Sequence, residues 1–236
     1  MPKERVVSLT DWHVPFHDVT ALNLALDFCE YVQPQIIVIH EAHDFYALSS
    51  FDKDPKRLSN LQEEIDTVTM YLGLLRRYCP KARIILLNSN HLDRLRRYLW
   101  KQAPALSSLR SLEIENLLEL KQHKIEYMED FEYKGVLYKH GDVVRKFSGY
   151  TGKAEFEREG MSGVTGHTHR LCAYYSTKRS GKYVWVESGC LCDLNPEYIK
   201  GVANWQTGFS MVTYEKTHYY AEAIPVVGGK IVWGNF

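Results

Sequence analysis

Three short runs, Val6-Val7-Ser8-Leu9, Ile36-Ile37-Val38-Ile39 and Ile84-Ile85-Leu86-Leu87, constrain this chain more than any other feature. A strand with one face in water alternates apolar and polar residues. A run that is apolar at nearly every position and rich in β-branched side chains has both faces covered, the condition of a parallel strand between two layers. Between the runs the period changes. Leu22, Ala25, Leu26, Cys29 and Val32 recur at helical spacing from Thr20 to Val32, and Pro34 closes that segment. Leu61, Ile65, Val68, Leu72 and Leu75 do the same from about Asn60 to Tyr78, ahead of Pro80. Strand, helix, strand, helix, strand predicts an α/β layered fold.

The second half reads differently. A helical stretch is expected from about Asp93 to Leu120. Short strands follow at Val136–Lys139, Gly163–Thr165, Leu171–Thr177, Tyr183–Glu187, Gly208–Tyr214 and His218–Ile224, with hairpin turns at Ser180-Gly181 and Gly228-Gly229. No linker-like shift in composition and no internal repeat divides the sequence, so residues 1–236 are expected to form one domain with two sheets. The 29 basic residues balance 29 acidic ones, which argues against a broad polybasic surface and leaves room only for local patches. No stretch approaches the ~20 apolar residues of a membrane span. Met1 to Arg5 leads straight into the first strand without the apolar core of a secretory signal. A cytoplasmic location with no membrane partner is the expectation. The five cysteines lack disulfide-framework spacing and are expected as reduced thiols; Cys190-Leu191-Cys192 is too close for a zinc knuckle.

The histidines carry more information. His13, His17, His40, His43, His91, His167 and His169 fall in or beside turns, and His140 follows another apolar run. The turns after the three early strands hold Asp11-x-His13, then Glu41 with Asp44 three residues on, then Asn90-His91. Later strands lead into His140-Gly141 and Gly166-His167-Thr168-His169. Ligands of α/β sheets gather at the carboxyl ends of strands, so these turns are expected to converge. Carboxylate, imidazole and amide oxygen together suit borderline divalent ions such as Mn, Fe, Zn, Co or Ni, and there are donors enough for two.

In this order and at these intervals the blocks resemble the calcineurin-like metallophosphoesterases, whose pattern is D-x-H, G-D-x-x-D, G-N-H-[ED], a lone His and G-H-x-H. The resemblance covers nearly the whole chain. It is nearest to small bacterial and phage-type members, through Asp44-Phe45-Tyr46 and Phe51-Asp52-Lys53-Asp54. It implies a four-layer αββα sandwich of two mixed β-sheets flanked by helices. Carried over position by position, it puts Asp11, His13 and His169 on one metal and Asn90, His140 and His167 on a second, with Glu41 in the place of the bridging aspartate. His91 matches the histidine that faces the scissile phosphate and protonates the leaving oxygen, and Asp44 the carboxylate that orients it. The implied activity is hydrolysis of a phosphoester by a metal-bridging hydroxide. The preferred substrate is a diester: a cyclic nucleotide, a single-stranded nucleic-acid end, or a small aryl or alkyl diester.

Departures from the pattern cluster at two turns. His40-Glu41 stands where the family has Gly-Asp, Ser89 where it has glycine, and Leu92 where it has an acid, with Asp93 one place further. Glutamate adds a methylene to the bridge, and a histidine is strained at a turn that needs positive φ. Three readings stand open: Glu41 bridges, with His40 as a neighbour or extra ligand; Glu41 turns away and one metal binds; or the site is degraded. The functional alternatives are a phosphotriester or phosphonate hydrolase with a reshaped site, and a non-catalytic binding module. A protein phosphatase fits a short chain less well.

Around the core set, Arg94, Arg96, Arg97 and Lys101 form either a solvated helix face or a phosphate-gripping edge, with Arg94 the nearest to His91. His17 is a substrate-contact candidate or a helix-entry residue beside Asp18. His43 is expected as a polar residue at the pocket mouth. Trp12 and Tyr46 either stack on a base or aryl group or pack inside; Trp185, Trp205 and Trp233 are expected to pack. The aromatics Tyr214, Tyr219 and Tyr220 suit a dimer contact or an ordinary sheet edge equally.

Overall fold

A computed structural model of the chain describes residues 3–49, 60–196, 198, 199 and 201–234. The Phe51–Asp54 segment of the sequence pattern lies outside the described residues.

Two mixed sheets pack face to face. The first contains β1 (Glu4–Leu9), β2 (Ile36–Ile39), β3 (Arg83–Leu87), β4 (Ile125–Met128), β10 (Gly208–Glu215), β11 (His218–Val227) and β12 (Lys230–Ile231), in the order β12-β11-β10-β1-β2-β3-β4. β1 to β4 run parallel, and β10 lies antiparallel beside β1. The second contains β5 (Phe131–Tyr133), β6 (Val136–Lys139), β7 (Ser162–Thr165), β8 (Leu171–Lys178) and β9 (Gly181–Ser188), in the order β5-β6-β7-β9-β8, with β6, β7 and β9 parallel.

Successive residues of β1, β2 and β3 point to opposite faces, and both faces are filled. Val7, Leu9, Ile37, Ile39, Ile84 and Leu86 join the cluster made with α1 (Val19–Val32) and α2 (Leu61–Tyr78). Val6, Val38, Ile85 and Leu87 join Tyr138, Val164 and Val186 of the other sheet. That double cover is why the runs are apolar throughout. At ~1.5–3 kcal/mol for each large aliphatic side chain buried, these strands anchor the molecule. On the far side α5 (Tyr150–Glu159) covers the second sheet, its Phe156 packing on Tyr174 and Tyr183. The layers are helix, sheet, sheet, helix, as expected of an αββα sandwich.

Two parts of the sequence reading need correction. The stretch from Asp93 to Leu120 is not one helix but α3 (Leu92–Gln102), two 3₁₀ turns and the single turn α4 (Ile114–Leu117). Pro104 lacks an amide hydrogen and drives Ala103 out of helical backbone, to φ −146° and ψ 57°. β4, β5, β12 and α5 are also additional to the expected elements. Among the described residues, no helix is long and apolar enough to cross a membrane.

Candidate metal centre

The candidate ligands stand on turns leaving the carboxyl ends of β1, β2, β3, β6 and β7, and the backbone knits these turns together. The amides of Trp12 and Val14 donate to the carbonyls of Glu41 and Ala42, and the Asp44 amide donates back to Val14, so the first two turns prolong the β1–β2 pairing. Gly166 donates to the His140 carbonyl in the second sheet. The Leu191 amide reaches the carbonyls of Thr10 and Asp11 between the sheets. Four of the candidate ligands hold left-handed backbone: Asp11 (φ 50°), His13 (51°), His167 (66°) and His169 (57°). Strain of ~1–3 kcal/mol per such residue persists only where the surroundings fix it, and it clusters at functional sites. His40 is not among the positive-φ residues, so histidine at that turn carries none of the strain considered above. Gly166, by contrast, has no room for a side chain. A Cβ there would lie 2.5 Å from Asp11 Oδ2, an oxygen that accepts the His167 amide at 3.0 Å.

Glu41 sits at the centre, fully buried. Its Oε1 lies 3.1 Å from His13 Nε2, and its Oε2 lies 3.5 Å from His140 Nε2. His13 Nε2 is 2.9 Å from His169 Nε2 and 3.8 Å from Asp11 Oδ1. His140 Nε2 is 2.8 Å from Asn90 Oδ1, and the His167 ring lies 5.1 Å from the His140 ring. Ser89 approaches Glu41 and favours its ionised form, but neither oxygen has a partner in full hydrogen-bond geometry. Ligand-type atoms of Asp11, Glu41 and His140 lie within 4.8 Å of one another, as do those of His13, His169 and Cys192.

Electrostatics fit this donor set to a cation. Burial pushes the Asp11 carboxyl up to about 6 and Glu41 up to about 8. Burial also pushes His91 down to about 3 and holds His140 and His169 well below the ordinary range, so their rings are neutral and keep a lone pair. Burial opposes protonation of His13 too, but the carboxylates of Glu41 and Asp44 lift it to about 9. Two buried carboxyl groups, with the charged His13 and the neutral rings of His140 and His169 around them, are costly to bury and are satisfied by a divalent metal that displaces the His13 proton.

Asp44 Oδ2 lies 3.1 Å from His13 Nδ1 and 3.4 Å from His91 Nδ1. Burial opposes its ionisation, yet the hydrogen bonds of His13 and His91 hold its carboxyl well below the usual range. Arg94 pairs with the same carboxylate, donates from Nη1 to the Asp44 carbonyl at 2.7 Å, and brings Nη2 to 3.0 Å from His91 Nε2. All of these side chains line an open cavity of about 680 Å³ whose remaining wall includes Tyr46, Tyr198, Ile199 and Trp205. A larger groove of about 1050 Å³, near Lys182, Tyr219 and Trp233, contains none of the candidate ligands.

Several expectations change. His40 does not line the cavity as an extra ligand; it is fully buried, with Nδ1 2.8 Å from the Lys139 carbonyl, a tie between the two sheets. His17 does not line it as a substrate contact either, because its ring packs edge-on against Tyr71 at 5.3 Å. His43 is buried against Phe45 rather than at the mouth. Trp12 packs inside, beside Tyr71. Trp205, expected to pack, lines the cavity with its ring 4.1 Å from that of His169. The sequence reading missed Cys192, whose thiol lies 3.8 Å from His169 Nδ1, and Glu64 of α2, which accepts the Phe45 amide beneath Asp44.

Fold and cluster together define a mixed α/β protein of the metallophosphoesterase fold with a group of side chains able to hold metal. The solved structure of Vacuolar Protein Sorting 29 from Cryptosporidium parvum matches with a TM-score of 0.50 at 11% identity, over 98% of this chain and 95% of that one, a likeness that bears on the fold alone. The Gene 54 protein of Mycobacterium phage D29 is 30% identical over 247 residues, 96% of this chain and 95% of that protein. The Gene 54 protein of Mycobacterium phage L5 is 29% identical over 244 residues, with the same coverage. The chain belongs to the family of these phage Gene 54 proteins. No family model matches it.

Proposed function

We propose that the chain is a metal-dependent phosphoester hydrolase acting on diesters. The observation that carries this reading is Glu41, whose two buried oxygens face separate donor sets. Asp11, His13 and His169 would hold one divalent ion, Asn90, His140 and His167 a second, with Glu41 shared between them. When bound, two such ions supply charge neutralisation at the phosphoryl group and a water acidic enough to attack near neutral pH.

The chain's own residues do the rest. Arg94, already beside His91, offers a planar guanidinium to a phosphoryl oxygen. His91 is the residue we assign to give a proton to the leaving oxygen; its Nε2 accepts from Arg94 in the resting site, so it takes up that proton only when the guanidinium turns to the phosphoryl oxygen. Asp44 at Nδ1 fixes the ring and stabilises its protonated form, as in other acid–orienter pairs. Tyr46, Tyr198 and Trp205 exclude water and pack the organic arms of the substrate. One guanidinium and three aromatic walls suit a singly charged diester with two ester groups better than a dianionic monoester.

Chelated protein reloaded with Mn, Fe, Zn, Co or Ni is expected to bind close to two ions per chain and to turn over bis(p-nitrophenyl) phosphate. His91→Ala lowers kcat by about 10²-fold or more at an unchanged ion count. One ion or none, with no turnover of mono-, di- or triesters, refutes the reading.

A further inference from the structure

The loop between β6 and α5 begins directly after His140 and presents an unusual surface. Val144, Phe147 and, at the start of α5, Tyr150 are 55%, 50% and 59% exposed, beside the exposed Arg145 and Lys146. The backbone under them is pinned. The Arg145 amide donates to Thr151 Oγ1 at 3.1 Å, the Gly149 amide to Glu187 at 2.7 Å and the Tyr150 amide to the Phe147 carbonyl at 3.2 Å. The Arg170 guanidinium donates to the Arg145 carbonyl. Phe147 and Tyr150 meet edge to face at 5.4 Å, and Lys146 Nζ stands 5.2 Å from the Phe147 ring. Large rings held out in water on a fixed backbone are a preformed contact surface.

An unbroken line of contacts joins that surface to the candidate metal centre. Trp205 lies on the ring of His169; Arg170 is the next residue; its guanidinium holds the Arg145 carbonyl; Lys146 and Phe147 follow, and Tyr150 ends the line. The loop's one acid, Asp142, is paired with Arg158 at 2.6 Å. That leaves Arg145 and Lys146 with no ion pair among the described residues, and Arg170, whose charge is felt by the buried Glu187, with none as close as 4 Å, a local positive stripe on a chain of zero net charge.

We propose that this surface binds single-stranded nucleic acid and leads its diesters to the metal centre. Phosphates run along Arg170, Arg145 and Lys146, and bases stack on Phe147 and Tyr150. Cations interleaved with open rings are the chemistry of a single strand, whose bases are unstacked and available. A mononucleotide held in the cavity needs none of the loop, because the loop contributes nothing to the cavity wall beyond His140, and an acidic peptide would use the cations without the rings. The inference rests on the diester-hydrolase reading, which supplies the reason for a strand to be there.

The test is fluorescence polarisation of labelled oligothymidylate and oligouridylate of about 12 nucleotides, within the ~4–16-nucleotide span of single-strand sites, on the chelated full chain. Phe147→Ala and Tyr150→Ala are each expected to weaken binding by about tenfold. Lys146→Ala reduces the slope of log affinity against log salt by about 0.7. Tyr175→Ala, a ring 69% exposed on β8, leaves binding unchanged. The DNA and RNA arms say which sugar is preferred. No binding, equal affinity for a blunt duplex, or an equal loss with Tyr175→Ala overturns the inference. Turnover of bis(p-nitrophenyl) phosphate by reloaded wild-type protein is read in parallel. Turnover without strand binding overturns the inference and leaves the hydrolase standing, whereas loop-dependent binding without turnover of any ester supports the surface and removes the hydrolase.

Discussion

Gly166→Ala is the smallest change that interrogates the centre. The new Cβ would meet Asp11 Oδ2 at 2.5 Å, Thr10 Cβ at 3.2 Å and Asp11 Cγ at 3.3 Å, where ordinary contact begins near 3.4 Å. The Asp11 carboxylate must therefore move by about 0.9 Å or the His167 turn must rise by as much. Neither yields freely. Asp11 is fully buried and holds the His167 amide, and both residues sit in left-handed backbone. Overpacking of this kind costs ~1–3 kcal/mol of stability. A shift near an ångström in a reacting site costs about 10²-fold in rate. We expect the variant to fold with a Tm lowered by several degrees, to lose affinity for one of two ions by chelator competition, and to lose about two orders of magnitude in kcat on bis(p-nitrophenyl) phosphate. A variant that binds both ions as tightly as wild type and keeps kcat within a few-fold would show that Asp11 does not act where the geometry puts it.

Three further outcomes follow from the same contacts. Asp44→Asn keeps the size of the side chain but removes the charge shared by His13, His91 and Arg94, so activity falls by about 10–100-fold while ion content holds; a loss below threefold, read from kcat, would refute the orienting role. Chelation removes the counter-charge for the buried Asp11 and Glu41, and adding back metal at about 100 times Kd should restore ~2.7 kcal/mol of stability, seen as a rise in Tm. Glu64 gives a pH signature. Burial pushes its carboxyl up to about 8, against hydrogen bonds from the amides of Phe45 and Tyr46. The folded chain thus holds this proton more tightly than the unfolded one, and the associated stability is full below the ordinary carboxyl range and lost as pH rises through about 8. Between pH ~5 and ~8 the Tm of chelated wild type should fall more steeply than that of Glu64→Gln; parallel curves would refute the assignment.

The parts of this molecule legible in sequence are those whose physics is local. β1, β2 and β3 are apolar on both faces because Val7, Ile37 and Ile84 meet helices while Val6, Val38 and Ile85 meet the other sheet. The turns that follow them converge because parallel strands end on one side. What stayed hidden depends on chain brought in from far away. Trp205 reaches the cavity because the Gln206 amide is tied to the His169 carbonyl, and Cys192 reaches His169 because Leu191 is hydrogen bonded to Thr10 and Asp11. Neither has a local signal. Arg94 reads as one of four cations on a helix, and only the fold separates it from Arg96 and Arg97, which pair with Asp93 at the surface while Arg94 turns inward to Asp44. α5 was illegible for another reason: its buried face is narrow, and its limits are set by Gly149 and Gly160 in left-handed backbone.

His40 and Glu41 make best sense as a pair. Where the resembling family has glycine and aspartate, this chain has two larger residues, and the structure gives each a place. The His40 ring is fully buried between the end of β2 and the end of β6, tied through Nδ1 to the Lys139 carbonyl one residue before His140. A ring in that position sets the least distance between the turn that bears Glu41 and the turn that bears His140. A carboxylate one methylene longer than aspartate then spans from His13 to His140, at 3.1 and 3.5 Å. On this argument the two substitutions compensate, and a double-mutant cycle measures it. Glu41→Asp alone falls short of His140 and loses affinity for one ion by tenfold or more. His40→Gly alone opens a cavity and lowers stability, on the ~3–5 kcal/mol scale of large-to-small changes. Combining them should recover part of the lost metal affinity, a coupling beyond the ~0.3–0.5 kcal/mol within which independent sites add. Additive losses would mean that His40 serves packing alone and that the reach of Glu41 was set by some other part of the β2 turn.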